Sequence, residues 1–278
     1  PFVPPMEEVF LSSEFRRLWQ GKDPFEEVER LAGEVYREVK SRKTIRFCVN
    51  GRAYFAKIHR GIGWSEIVKD LSQLKHPVLS AAHEWTALNV LHLIGIDTMR
   101  IAAYGRRGID PARLKSFIVT EELPQTRSLE ELCADWQTQL PPFRLKKALT
   151  ERVASIVRQM HEHGMNHRDC YICHFLLDVS DGCDRLDPDS LRLYVIDLHR
   201  AQVRRRTPRR WIVKDLAGLY FSALGLGLTR NDRLRFIRAY RQEPLRQILA
   251  KEADFWMQIN RKAKALHRKH AGRLPEDR

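Results

Sequence analysis

Between residues 44 and 58 apolar and polar side chains alternate on both sides of an Asn50-Gly51 pair, a pattern that permits little except a β-hairpin. Ile45, Phe47 and Val49 alternate with Thr44, Arg46 and Cys48, the period of a half-buried strand. Asn50 and Gly51 both tolerate positive φ and so close a tight turn. Tyr54-Phe55-Ala56-Lys57-Ile58 is then the returning strand. Val35 to Val39 reads as a strand before them, closed by Ser41-Arg42-Lys43, so three antiparallel strands are expected in a row. Lys57 is the odd residue of its strand. Lysine is almost never fully buried without a partner, so an inward Lys57 requires a carboxylate, whereas an outward one faces solvent from an edge.

The period changes on either side. Residues 7 to 33 read as amphipathic helix, with Phe15, Leu18 and Trp19 at helical spacing and Pro24 opening a second short helix. They form an N-terminal helical extension over 1–33. Pro77 to Gly95 reads as a helix that Ser80 caps and Gly95 ends. Ala81, Glu84, Leu88 and Leu91 share one stripe of it. Glu84 is therefore a carboxylate on a mostly apolar face, or at the wet edge of that face. Lys57 and Glu84 answer each other's need, and a strand lysine held by a helix glutamate is how kinases orient nucleotide phosphates.

Strands follow near 100–104 and 117–120, and Glu121-Glu122-Leu123-Pro124 then breaks the pattern at a hinge near residue 122. Ser128 to Cys133 starts a short helix. Leu145 to His163 is a long one, with Leu145, Leu149, Val153, Ile156, Val157 and Met160 on one face and Gly164 at C′. It delivers the chain to Asn166-His167-Arg168-Asp169-Cys170-Tyr171-Ile172-Cys173-His174. A strand at 175–177, an Asp/Gly-rich turn and a strand at 191–196 come next, the last ending in Asp197. Carboxylates just past strand ends suit Mg²⁺ held against phosphates. A basic loop spans 203–210, a helix with Asp215 in its first turn spans 211–224, and from Thr229 the chain is helical and basic, broken at Pro244.

The central stretch has two chemical readings. His167-Arg168-Asp169 opens like a kinase catalytic loop, whose aspartate takes the proton of an acceptor hydroxyl. Cys170-Tyr171-Ile172-Cys173-His174 spells the attachment pattern of a c-type haem, and His167, Cys170, Cys173 and His174 have the composition of a zinc site. The four lie within a few residues of each other with no second Cys-x-x-Cys elsewhere, so small inert thiols beside a catalytic loop are the plainer expectation. Five cysteines, an odd number, fit reduced thiols. The first residues carry no basic segment followed by an apolar core, so no export signal is expected, and Pro1 is not an initiator residue. No apolar run approaches the roughly 20 residues needed to span a bilayer.

Lys+Arg number 49 against 35 Asp+Glu, a net +14, which calls for an anionic partner without choosing one. The cations are spread along the chain and match no nucleic-acid motif, so nucleic acid is not the expected partner.

The order of these features, with Lys57-Ile58-His59-Arg60-Gly61-Ile62-Gly63-Trp64, Asn166 to Phe175 and Val195-Ile196-Asp197-Leu198-His199-Arg200, resembles the bacterial lipopolysaccharide core heptose kinases of the WaaP type. The resemblance covers about residues 10 to 270. It implies an α+β, two-lobed protein-kinase-like fold, with an N-lobe over 34–122 and a mainly helical C-lobe over 123–278. It also implies ATP and Mg²⁺, phosphorylation of the first inner-core heptose on lipid A, and a cytoplasmic enzyme peripheral to the inner membrane. Acyl carrier protein, an acidic partner, is implied as well. On the resemblance Asp169 is the base, His167 and Arg168 build its loop, and Asp215 supports that loop. Asp197 is a Mg²⁺ ligand. Lys57, Glu84 and Glu121 belong to the nucleotide site, and Arg60, Arg200, Arg209 and Arg210 to anionic groups of the acceptor. Two departures stand out. His174 takes the place of the asparagine that protein kinases put five residues after the aspartate, and is expected as a second metal ligand. No Gly-rich loop is present, and Ser41-Arg42-Lys43 occupies the corresponding turn with cationic side chains.

Overall fold

The computed structural model describes residues 7–39, 41–61, 63–64, 80–110 and 112–271. Two compact units divide the chain, Pro1–Asn89 with Met99–Leu123, and Val90–Thr98 with Pro124–Arg278. The elements are mixed α and β, with an antiparallel sheet in the first unit and helices dominating the second.

The sheet of the first unit holds β1 (Glu7–Leu11), β2 (Glu34–Val39), β3 (Arg42–Val49), β4 (Arg52–His59), β5 (Ile101–Arg107) and β6 (Lys115–Glu121). Their spatial order is β1-β5-β6-β4-β3-β2, and every pairing is antiparallel. The expected hairpin is β3–β4: Val49 faces Arg52, and Asn50 and Gly51 turn at φ 50° and 77°. Helices α1 (Ser13–Leu18) and α2 (Pro24–Glu29) lie on one face. Their Phe15, Trp19, Phe25 and Val28 are buried against Ile45, Phe47, Tyr54, Ala56, Ile58 and Phe117. Strand alternation sends Tyr54, Ala56 and Ile58 into that core and leaves Lys57 on the opposite face.

Two expectations change here. Residues 7–11 form an edge strand instead of helix, because β5 supplies a full ladder from Glu7↔Arg107 to Leu11↔Ala103. A partner ninety residues away overrides the local period. Arg42 and Lys43 are not turn residues either: they open β3, opposite His59 and Ile58.

Helix α3 (Ala82–Leu93) contributes residues to both units, and the start expected for it over 77–79 lies outside the described residues. Its stripe is buried as read: Ala81, Glu84, Leu88 and Leu91 are all nearly inaccessible. Gly95, at φ 72°, ends it.

In the second unit β7 (Thr126–Ser128) pairs with β9 (Phe175–Asp178), which pairs with β10 (Leu193–Val195). Short strands β8 (Met165–Asn166) and β11 (Gln202–Val203) pair separately. The helices are α4 (Leu129–Leu132), α5 (Phe143–Glu162), α6 (Arg209–Ser222), α7 (Arg230–Arg241) and α8 (Leu245–Ala271). Helix α5 buries Leu149, Val153, Ile156, Val157 and Met160. Gly164 follows it at φ 78°, where a Cβ would come within 1.7 Å of the Arg204 carbonyl oxygen. Only glycine fits that crossing, and it turns the chain into β8 beside β11.

Helix α7 is pinned by Asp232, which completes a capping box with Thr229 and lies 2.9 Å from the buried Lys146 ammonium. Burial alone would raise its pKa, but Lys146 and the Thr229 N–H and hydroxyl outweigh that and hold the carboxyl at about 2. A depressed carboxylate stabilises the fold above its unfolded value near 3.9, and that contribution disappears as pH falls through the folded value. Asp232→Asn is therefore expected to cost about 2 kcal/mol at pH 7 and to converge with wild type toward pH 2. Urea unfolding at a series of pH values checks this.

Candidate active site

In the first unit Lys57 Nζ lies 2.7 Å from Glu84 Oε1, so the strand lysine and the helix glutamate do pair. Glu84 is 1% exposed and its Oε2 has no hydrogen-bond partner among the described residues, whereas the Lys57 side chain keeps 29% exposure. The pair thus buries its anion and leaves its cation accessible, the arrangement a phosphate-binding lysine needs. Arg42 shares that face: burial, then the Arg37 charge, push its guanidinium pKa down, and Glu84 opposes them. Lys43 lies on the other face with Ile45, beside Glu29. The Ser41 carbonyl accepts the Arg60 N–H at 2.8 Å. The Arg60 guanidinium is held by Glu29 at 2.6 and 2.9 Å. Glu121 ends β6 opposite Tyr54, and the neighbouring Glu122 forms a two-point pair with Arg46 at 2.8 Å.

In the second unit the loop after β8 is built around Asp215 of α6. Its Oδ2 accepts the His167 N–H at 2.6 Å and its Oδ1 accepts the Arg168 N–H at 2.9 Å, with the side chain wholly buried. Arg168 sits at φ 73°, a left-handed conformation that a non-glycine residue keeps only when its surroundings enforce it. The same Asp215 oxygen is 3.3 Å from His161 Nε2, and His161 Nδ1 is 2.8 Å from the Tyr240 hydroxyl.

His167 is fully buried, which pulls its pKa down and keeps it neutral. Its Nε2–H donates to the Ile196 carbonyl at 2.9 Å, and its ring stacks on His174 at 5.5 Å and 6°. His174 Nδ1–H donates to the Asp169 carbonyl at 2.8 Å. Its Nε2 lies 3.3 Å from Asp197 Oδ2. A ring nitrogen and a carboxylate oxygen at that distance suit a proton or a cation shared between them. Asp197 is left-handed, at φ 61°, and its Oδ1 lies 2.5 Å from His199 Nδ1. Asp169 is reached by Arg200, whose Nη1 lies 3.0 Å from both carboxylate oxygens.

Asp169, Arg200, His167, His174, Asp197 and Asp215 thus form one connected set. Arg209 lies over the Phe255 ring at 5.1 Å and Arg210 over the Trp211 ring at 5.5 Å. The sequence reading missed His161, His199, Tyr240, Trp211 and Lys214. An available signal was the run 198–214, which holds seven Lys/Arg and no Asp/Glu.

The haem and zinc alternatives find no support in this geometry. Burial pushes the Cys170 and Cys173 thiols up, away from the thiolate a metal needs, and His167 spends Nε2 on a carbonyl. Among the described residues no three His, Cys, Asp or Glu side chains are grouped to hold a metal by themselves. Mg²⁺ asks for less: one or two protein ligands, with water and phosphate oxygens for the rest.

The antiparallel sheet with its lysine–glutamate pair and the helical unit with its aspartate loop define a protein-kinase-like fold. The profile of the lipopolysaccharide kinase (Kdo/WaaP) family matches residues 26–240. The chain is 56% identical over 259 residues to the lipopolysaccharide core heptose(I) kinase WaaP of Pseudomonas aeruginosa PAO1, covering 93% of this chain and 96% of that one. It is 48% identical to the same-named kinase of Escherichia coli K12, again over 93% and 96%. A solved structure, WaaP in complex with acyl carrier protein, superposes with a TM-score of 0.81 at 52% identity, covering 94% of this chain and 99% of its own. The protein is a kinase, and it belongs to the lipopolysaccharide kinase (Kdo/WaaP) family.

Asp215→Ala leaves the buried His167 N–H and the part-buried Arg168 N–H without this acceptor and releases a strained residue. It is expected to cost about 2–5 kcal/mol, read as a lower urea midpoint.

Proposed function

We propose that the protein transfers the γ-phosphoryl group of ATP to the first heptose of the lipopolysaccharide inner core. The observation that carries this is the 48–56% identity to three heptose(I) kinases along more than nine-tenths of every chain compared. Asp169 is the base: its carboxylate takes the acceptor hydroxyl proton as the hydroxyl oxygen attacks the γ-phosphorus and ADP leaves. Arg200 orients it. Lys57, held by Glu84, neutralises ATP phosphate oxygens, and Arg42 on the same face adds charge. Glu121, at the end of its strand, belongs to the nucleotide site.

Asp197 and His174 are the residues that would hold Mg²⁺, and the 3.3 Å approach of Oδ2 and Nε2 fits that assignment. When bound, the ion supplies charge neutralisation across the β- and γ-phosphates. Phosphoryl transfer otherwise asks mainly for positioning and electrostatics, which these few groups provide.

The acceptor lies on a lipid, and among the described residues no helix is long and apolar enough to cross a membrane. Peripheral attachment at the cytoplasmic face of the inner membrane suits a +14 chain. The same charge suits an acidic acyl carrier protein, the partner of the solved relative.

Incubation with labelled ATP and core lipopolysaccharide lacking heptose phosphate is expected to label the heptose, to stop with a chelator and to resume with Mg²⁺. Lys57→Met is expected to lower kcat/KM by about 100-fold or more, chiefly through ATP. Labelling only of another sugar, or of protein tyrosine, would replace the heptose assignment.

A further inference from the structure

Beside Asp169 the second unit concentrates positive charge around a single indole. Arg168, Arg204 and Arg210 place their guanidinium carbons 5.0, 5.8 and 5.5 Å from the Trp211 ring centroid, and Lys214 Nζ lies at 5.5 Å. One aromatic ring offsets little of the repulsion among four cations. None of the four makes a salt bridge among the described residues. Both carboxylates nearby are engaged elsewhere, Asp169 by Arg200 and Asp215 by the loop N–H groups. Arg204 is fixed by the neutral Asn166 and Gln202 side-chain oxygens, which hold its position without cancelling its charge.

Three further observations point to an anion. Burial, the Asp169 charge and then the Arg168 and Arg200 charges act on Lys214, with a net lowering of its pKa. Trp211 Nε1 and Arg168 Nε are enclosed without acceptors among the described residues. Helix α6 begins here with Pro208 at its N-cap and no side-chain cap, so its positive end adds to the same charges. A group that brings negative charge relieves the repulsion and supplies the acceptors at once.

We propose that the cluster of Arg168, Arg204, Arg210 and Lys214 around Trp211 is the subsite for a carboxylate or phosphate carried by the acceptor next to the phosphorylated sugar, with Arg210 and Lys214 as specificity-determining residues. This rests on the kinase assignment above and on Asp169 as its base. Arg168 and Arg200 join the cluster to that base, so an anion held here fixes the acceptor hydroxyl against Asp169. ATP is left to Lys57 and the metal site.

The test uses the whole protein and delipidated core oligosaccharide lacking heptose phosphate in three forms: native, carboxyl-reduced and phosphatase-treated. Wild type is compared with Arg210→Gln/Lys214→Gln and with Lys214→Arg, folding being checked by circular dichroism. On the native acceptor the double variant is expected to raise acceptor KM roughly 10- to 100-fold with KM for ATP unchanged. Lys214→Arg is expected to stay near wild type. On whichever neutralised form removes the recognised anion, wild type and double variant should be equally weak, which tells carboxylate from phosphate.

Equal losses on all three acceptors, an unchanged acceptor KM, or a rise confined to KM for ATP would each overturn the subsite. Calorimetric titration with the same oligosaccharides decides the matter independently of turnover. If wild type phosphorylates none of them, the heptose assignment fails, while anion-dependent binding that the double variant loses still supports the subsite and equal binding by both proteins overturns it.

Discussion

The buried Asp215 carboxylate, gripping two successive backbone N–H groups, is the interaction on which the rest of the candidate site depends. A charge taken that far from water is costly unless donors surround it. Here the donors are the N–H groups of His167 and Arg168, with His161 alongside. The requirement runs both ways. The carboxylate is satisfied only if the loop takes this shape, and the left-handed backbone at Arg168 persists only because the carboxylate holds it. That bend brings Asp169 out of a loop whose flanking His167 and Cys170 are both buried.

From there the constraint passes through short contacts. His167 reaches the Ile196 carbonyl, just before Asp197, and stacks on His174, which holds the Asp169 carbonyl and faces Asp197. The two carboxylates assigned to base and metal are therefore tied through a pair of imidazoles, not positioned independently. The first unit solves a similar problem with two residues, since Glu84 alone gives Lys57 a buried counter-charge. In both units a wholly buried carboxylate fixes the neighbour that chemistry would use.

Much of this was legible because the signals are local. The Asn50-Gly51 turn, the intruding Lys57, the Glu84 stripe and the glycine after α5 each announce themselves within a turn or a strand. The resemblance added roles that periodicity could not assign. What escaped depends on distant segments. Residues 7–11 became strand because β5 lay waiting for them, and Lys43 left the face that carries Lys57 because register, set by the hairpin, decides which side each residue takes. Arg60 finds Glu29, 31 residues away in the chain, and His161 acquires meaning only when α5, α6 and α7 pack together. The indole and its four cations come from a loop and a helix end whose side chains meet only in the folded unit. Their acid-free sequence was visible, but the ring that gathers them was not.

The assignment of Asp169 as base is tested most directly by kinetics of Asp169→Asn, which keeps the shape and removes the proton acceptor. A base requires kcat to fall by about 100- to 10,000-fold while KM for ATP and the unfolding midpoint stay as in wild type. A variant that is folded and retains most of its kcat would contradict the assignment and return the question of the base to the loop's other groups.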